Sequence, residues 1–101
     1  MVIYNVTIQP DWSIHEAWLQ WMKAEHMPAV VGTGCFSSSR LLRLINIEEL
    51  EGPTYAAQYE ATSIEMYQHY IDNFSDVLRQ EGITKWGGHF TAFRTVMEEV
   101  E

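Results

Sequence analysis

The chain has 101 residues, 47% of them hydrophobic, which suits a single domain over 1–101 with a core large enough to fold without staples. Fourteen acidic residues against six basic ones give a net charge of −8, so the clustered Lys and Arg that track phosphates are lacking. Neither nucleic acid nor an anionic membrane surface is an expected partner. The lone cysteine, Cys35, excludes an internal disulfide and fits a reducing, cytoplasmic setting, and no stretch approaches the ~20 apolar residues of a membrane span.

Val2–Gln9 alternates apolar and polar residues, is rich in β-branched types, and reads as a first strand rather than as a signal peptide. After Pro10-Asp11, Ser13-Ile14-His15-Glu16 has the form of a capping box, with Trp12 placed to staple onto Ala17. The spacing of Ile14, Ala17, Trp18, Trp21 and Met22 predicts a helix from Ile14 to about Glu25. Pro28 disfavours helix at Met27, so a break at His26-Met27-Pro28 and a short turn over Pro28–Val31 are expected, closed by Gly32 and Gly34. Phe36–Ile47 reads as a long second strand, Glu48–Pro53 as a turn and Thr54–Ala61 as a third strand. Thr62-Ser63-Ile64-Glu65 is a second capping box. Ile64, Tyr67, Ile71, Phe74 and Leu78 then mark a helix, which Ser75-Asp76 can kink, Gly82 weakens and Gly87-Gly88 ends. His89–Met97 is the fourth strand.

Strand, helix, strand, strand, helix, strand is the order of an α+β, ferredoxin-like βαββαβ fold: a four-stranded antiparallel sheet with both helices on one face. Val2, Tyr4, Val6, Ile8, Leu42, Leu44, Tyr55, Tyr59, Phe90 and Val96 share the parity of the helix-covered face. Ile3, Asn5, Thr7, Leu41, Arg43, Ile45, Gln58, Phe93 and Met97 fall on the other. That second face is half apolar, too much for a sheet face left in water. It implies a homodimer joined through Ile3, Leu41, Arg43, Ile45, Phe93 and Met97, the alternative being a monomer with scattered exposed apolar residues. A β-bulge would invert the parity beyond it.

The opening Val-Ile-Tyr-Asn-Val-Thr, the segment Ser-Ile-His-Glu-Ala-Trp-Leu-Gln-Trp-Met-Lys, and Glu25-His26-Met27-Pro28 resemble a family of short bacterial proteins, the domain-of-unknown-function family 4286. Arg40-Leu-Leu-Arg43, Leu78-Arg-Gln-Glu81 and Gly87–Thr95 extend the resemblance over essentially the whole chain. The segment from Trp21 through His26-Met27-Pro28 is also similar to the wider dimeric α/β-barrel superfamily, whose members pair their sheets face to face. That superfamily includes cofactor-free monooxygenases, isomerases, haem-handling enzymes and proteins without known activity. The resemblance therefore implies a dimer and a pocket between sheet and helices, and no single reaction.

His26 is the one candidate for catalysis. An imidazole at a helix break can face a pocket and exchange protons near neutral pH, or it can simply bond the backbone of the helix end. His15 and His69 fall on exposed helical positions. Metal ligation is not expected: Glu25 and His26 point apart, and His15 and His26 stand ~16 Å apart along a helix. Arg40 and Arg94 have the parity of the helix-covered face. A guanidinium there needs an internal carboxylate such as Glu25, a ligand carboxylate or phosphate, or a path to water from a strand end. Trp18, Trp21, Tyr55 and Tyr59 can line a cavity for an aromatic ligand or simply fill the core. The function expected is a homodimer that binds a small organic molecule between sheet and helices, without a resident cofactor. The alternatives are a cofactor-independent monooxygenase or isomerase with His26 as base, and a haem-handling protein with His26 or His89 as axial ligand.

Overall fold

Strand β1 (Val2–Pro10) alternates as its sequence implies: Val2, Tyr4, Val6 and Ile8 are buried on one face, while Ile3 and Thr7 lie partly open on the other. The computed structural model describes residues 1–101. After β1 come α1 (His15–Trp21), a π-helical turn (Met22–His26), α2 (Met27–Gly32), β2 (Ser38–Arg43), β3 (Tyr55–Ala61), α3 (Ile64–Asn73), α4 (Ser75–Trp86) and β4 (Phe90–Glu98). The strands form one antiparallel sheet in the order β2-β3-β1-β4, and every neighbouring pair is antiparallel. This is the ferredoxin-like α+β arrangement, with all helices on the face that carries Tyr4, Val6, Tyr55 and Tyr59. No helix is long and apolar enough to cross a membrane.

Tyr4 sits at the centre of the interlayer core, its ring 5.5 to 6.0 Å from those of Phe36, Tyr59, Tyr67 and Tyr70. Trp18, Met22, Met27 and Val30 bring the first helical segment onto the same face of the sheet. One glycine is obligatory in the β2–β3 connection: a Cβ on Gly52 would stand 1.8 Å from the Pro10 carbonyl oxygen, so only glycine lets that connection lie against the end of β1.

Local structure departs from the sequence pattern in three places. Ser13 is not a cap. Ile14 holds the N-cap position of α1 with no side-chain hydrogen bond, and Trp12 donates its Nε1–H to the Glu49 carbonyl at 2.7 Å instead of stapling onto Ala17. In the second box the cap is Ser63, whose Oγ accepts from the Met66 N–H at 3.2 Å.

The expected break before Pro28 is a wide turn inside a continuous helix. The Met27 N–H bonds to the Met22 carbonyl, five residues back, and α2 follows directly with Pro28 in its first turn. A proline ring collides with the carbonyl four residues earlier in a regular α-helix, and a π turn relieves that collision. The turn also absorbs one residue. At ~100° per residue, Trp18 and Val30 would differ by ~120° in a plain helix, whereas with one residue absorbed they differ by ~20°. Trp18, Met22 and Val30 are accordingly all buried.

The third departure corrects the faces of β2. The Ser37 N–H donates to the Glu60 carbonyl at 2.8 Å, and Ser38 is itself the register partner of Glu60. Two residues therefore oppose one, as in a β-bulge, and the parity counted from buried Phe36 inverts. Leu41 shares a row with Ala57, Val6 and Arg94 and packs on the helix-covered core. Arg43 shares one with Tyr55 and Ile8. Neither belongs to the open face, and Ile45 lies beyond the end of β2. Arg40 and Leu42 take their place there, in rows with Gln58 and Ala56. Ile3, Phe93 and Met97 lie on the open face as expected, in the rows of Glu60, Ala56 and Glu60 respectively.

Candidate functional site

Between the sheet and the helices lies a partly enclosed cavity of about 170 Å³, and fourteen of its nineteen lining residues are hydrophobic. Strand β1 supplies Tyr4, Val6 and Ile8, and β3 supplies Tyr59. The first helical segment supplies Trp18, Trp21, Met22, His26 and Val30, and β4 supplies Phe90, Ala92 and Arg94. The remaining wall is Tyr70 at the end of α3 together with Ser75, Leu78, Arg79, Gly82, Ile83 and Trp86 of α4. Gly82 leaves this wall thin: a Cβ there would touch the Trp21 ring at 3.5 Å.

Five of the seven residues marked out by sequence pattern meet at this cavity: Trp18, Trp21, His26, Tyr59 and Arg94. Arg40 does not. The bulge at Ser37-Ser38 turns it to the opposite face, where its Nε donates to Gln58 Oε1 at 2.9 Å. Tyr55 faces the helices but lies outside the cavity, its ring 5.2 Å from that of Trp18 and its hydroxyl 2.7 Å from His15 Nε2. His15 is thus a partner of a buried tyrosine and not simply solvated. His89 pairs with Asp11 at 3.2 Å, outside the cavity.

His26 sits on the last residue of the π turn, its ring stacked on Trp21 with centroids 4.6 Å apart. Burial, and secondarily the nearby Arg94 guanidinium, pull its pKa down to about 4, so the imidazole is neutral at pH 7. Its Nδ1 is buried without a hydrogen-bond partner, and so is Nε1 of Trp86 across the cavity wall. Unpaired buried polar atoms are few in native cores, and two in one wall mark a place that is not simply packed interior. The Arg94 Nε donates to the Tyr4 hydroxyl at 3.2 Å. Burial pushes the Tyr59 and Tyr70 hydroxyls above their usual range, which keeps both as neutral O–H groups. Nowhere do three or more His, Cys, Asp or Glu side chains converge as metal ligands.

Sequence pattern pointed to the sheet and first-helix side of this cavity and missed the α4 side. Leu78, Gly82 and Trp86 recur at steps of four, the signal that could have found that wall, while Arg79 carries no such signature.

Fold and cavity together define a ferredoxin-like α+β protein with an interlayer pocket. The chain belongs to the domain-of-unknown-function family DUF4286, whose model matches residues 1–100. No curated protein matches it. Among solved structures it is similar to an EthD family protein from Bacillus halodurans C-125, at a TM-score of 0.67 and 12% identity over 99% of this chain and 100% of that one. It is also similar to a MhuD variant with two manganese protoporphyrin IX molecules bound per active site, at 0.70 and 20% over 100% and 96%. A third match is a monooxygenase from the ActVA-Orf6 gene of Streptomyces coelicolor in complex with Nanaomycin D, at 0.56 and 10% over 98% and 89%. At these identities the likeness is one of fold.

Proposed function

We propose that this protein is a homodimer that binds a small organic compound in the cavity between sheet and helices. The observation that carries the proposal is the cavity itself: an apolar interlayer space of about 170 Å³ with a neutral histidine on a π turn in its wall. Pockets are mostly apolar with a few placed polar groups, and π turns recur at functional sites. The MhuD and ActVA-Orf6 relatives in fold, described with bound ligands, support reading this space as a binding site. The dimer part rests on the open sheet face, where Phe93 is 63% exposed, Leu42 43% and Met97 39%. A second copy would cover these side chains.

Two measurements test it. Light scattering at micromolar concentration should give twice the chain mass. A fragment screen by thermal shift should find compounds that raise Tm in the wild type and not in Ala92→Leu, which fills the cavity. A single-chain mass refutes the dimer, and the absence of any cavity-dependent stabilisation refutes the binding site.

A second reading, cofactor-independent monooxygenase or isomerase chemistry, is favoured by one arrangement: a neutral His26 near the Arg94 guanidinium. His26 would take a proton from a substrate C–H or O–H, and the electron pair left behind would reside on an oxygen held by Arg94. A pKa of about 4 restricts such a base to acidic protons. Turnover abolished by His26→Ala would select this reading. Haem handling would require the helices to part from the sheet, because a tetrapyrrole exceeds 170 Å³.

A further inference from the structure

The residues lining the cavity include two arginines, Arg79 and Arg94, both also exposed to solvent, and no aspartate or glutamate. In a chain of net charge −8 this is a local reversal of sign. The only arginine–carboxylate pair is Arg43 with Glu49, and His89 contacts Asp11, so neither cavity arginine has a carboxylate partner. Arg94 is nonetheless oriented: its Nε donates to the Tyr4 hydroxyl, while its two Nη groups meet no protein acceptor. Arg79 reaches only the Ser75 hydroxyl, at 3.5 Å. Both arginines line the same cavity as Tyr70. The other polar side chains there are the Ser75 hydroxyl, the Tyr hydroxyls, the Trp N–H groups and a neutral imidazole. A guanidinium with its Nη edge free matches a carboxylate bidentately.

Size limits the rest of the ligand. An apolar cavity of about 150 Å³ accepts benzene, so about 170 Å³ accepts one six-membered ring with a small substituent. Trp18, Trp21, Phe90 and Trp86 offer that ring aromatic surface.

Taking the cavity as a binding site, we infer that its ligand class is the monocyclic monocarboxylates, with the carboxylate on the free Nη groups of Arg94 and the ring against the tryptophans. The structure thus separates acid recognition at Arg94 from shape recognition at the apolar wall, and each can be removed alone.

The test is a titration followed by the tryptophan fluorescence of the chain, three of whose four tryptophans, Trp18, Trp21 and Trp86, line the site. The probes are benzoate, phenylacetate and cyclohexanecarboxylate, each beside its neutral amide, with phenyl phosphate added. At least one acid should bind ten-fold or more tighter than its amide. Arg94→Met should abolish that preference while leaving the amide affinity within about two-fold. Arg79→Met should weaken the acid less than Arg94→Met does. Amides that bind as well as the acids, an Arg94→Met variant that retains the preference, or phenyl phosphate binding tightest would each overturn the carboxylate inference. If those amides still bind, and Ala92→Leu removes them, the binding-site reading survives. If no acid binds at millimolar concentration the carboxylate inference falls, and the fragment screen against Ala92→Leu decides separately whether the cavity is a binding site.

Discussion

Replacing His26 by Gln removes the one side chain whose burial ties folding to protons near neutrality. In the unfolded chain a histidine takes its proton near pH 6.5, and in the folded protein His26 takes it near 4. The folded state therefore binds fewer protons than the unfolded state between these values. The stability tied to the neutral imidazole is fully present above pH 6.5 and is lost as the pH falls toward 4. At about 1.4 kcal/mol per pH unit, the wild type should lose about 2 kcal/mol on going from pH 7 to pH 5 through this group alone, and about 3 kcal/mol by pH 4. Every other group is common to both proteins and cancels in the comparison. Urea unfolding of wild type and His26→Gln at pH 7, 6, 5 and 4 reads the difference directly. The expected result is a wild-type curve that drops more steeply by those amounts, together with a His26 NMR titration centred near 4. Parallel curves, or a midpoint between 6 and 7, would show that the imidazole is wet and that the cavity wall is wrongly placed.

Phe93→Asp puts a charge at the most exposed of the apolar positions on the open face and should convert the proposed dimer to a single-chain species in light scattering, with the circular dichroism of the fold retained. Gly52→Ala drives a methyl into the Pro10 carbonyl and should lower stability by at least about 2 kcal/mol; a Tm unchanged within 2 °C would show that the connection can move aside. Ser63→Ala should cost about 1 kcal/mol in urea unfolding and Ser13→Ala nothing measurable, because only Ser63 Oγ accepts a backbone N–H.

What the chain displays in its sequence is whatever depends on unbroken periodicity. Strand β1 alternates without interruption, so the faces of Tyr4, Val6 and Asn5 follow from counting. Arg94 was correctly placed on the helix side because β4 pairs with β1 in steady register from Val2 to Pro10. In Arg40-Leu41-Leu42-Arg43-Leu44-Ile45 the count had nothing to check it: apolar residues occupy both parities, and the bulge opposite Glu60 is made by two serines within a run of three. Arg40 and Leu41 exchanged faces for that reason alone. The α4 wall was missed because Gly82 reads as a weak point of a helix, whereas it is buried where Trp21 passes over the helix.

The π turn is the other break in periodicity, and it can be tested by removing it. Deleting exposed Ala24 takes out the residue that the turn absorbs. Eleven steps from Trp18 to Val30 then give ~20° of rotation in a plain α-helix, so both side chains stay buried without any wide turn. The deletion alone, however, restores a regular helix around Pro28 and sets its ring against the carbonyl of Lys23, a collision worth about 3 kcal/mol. The deletion combined with Pro28→Ala removes that collision. In urea unfolding at pH 7 the single deletion should fall well below the wild type, and the double variant should recover about 3 kcal/mol of the loss. If instead Pro28→Ala adds to the damage of the deletion, proline is not the cause of the turn, and another account would be needed for how His26 comes to face the cavity.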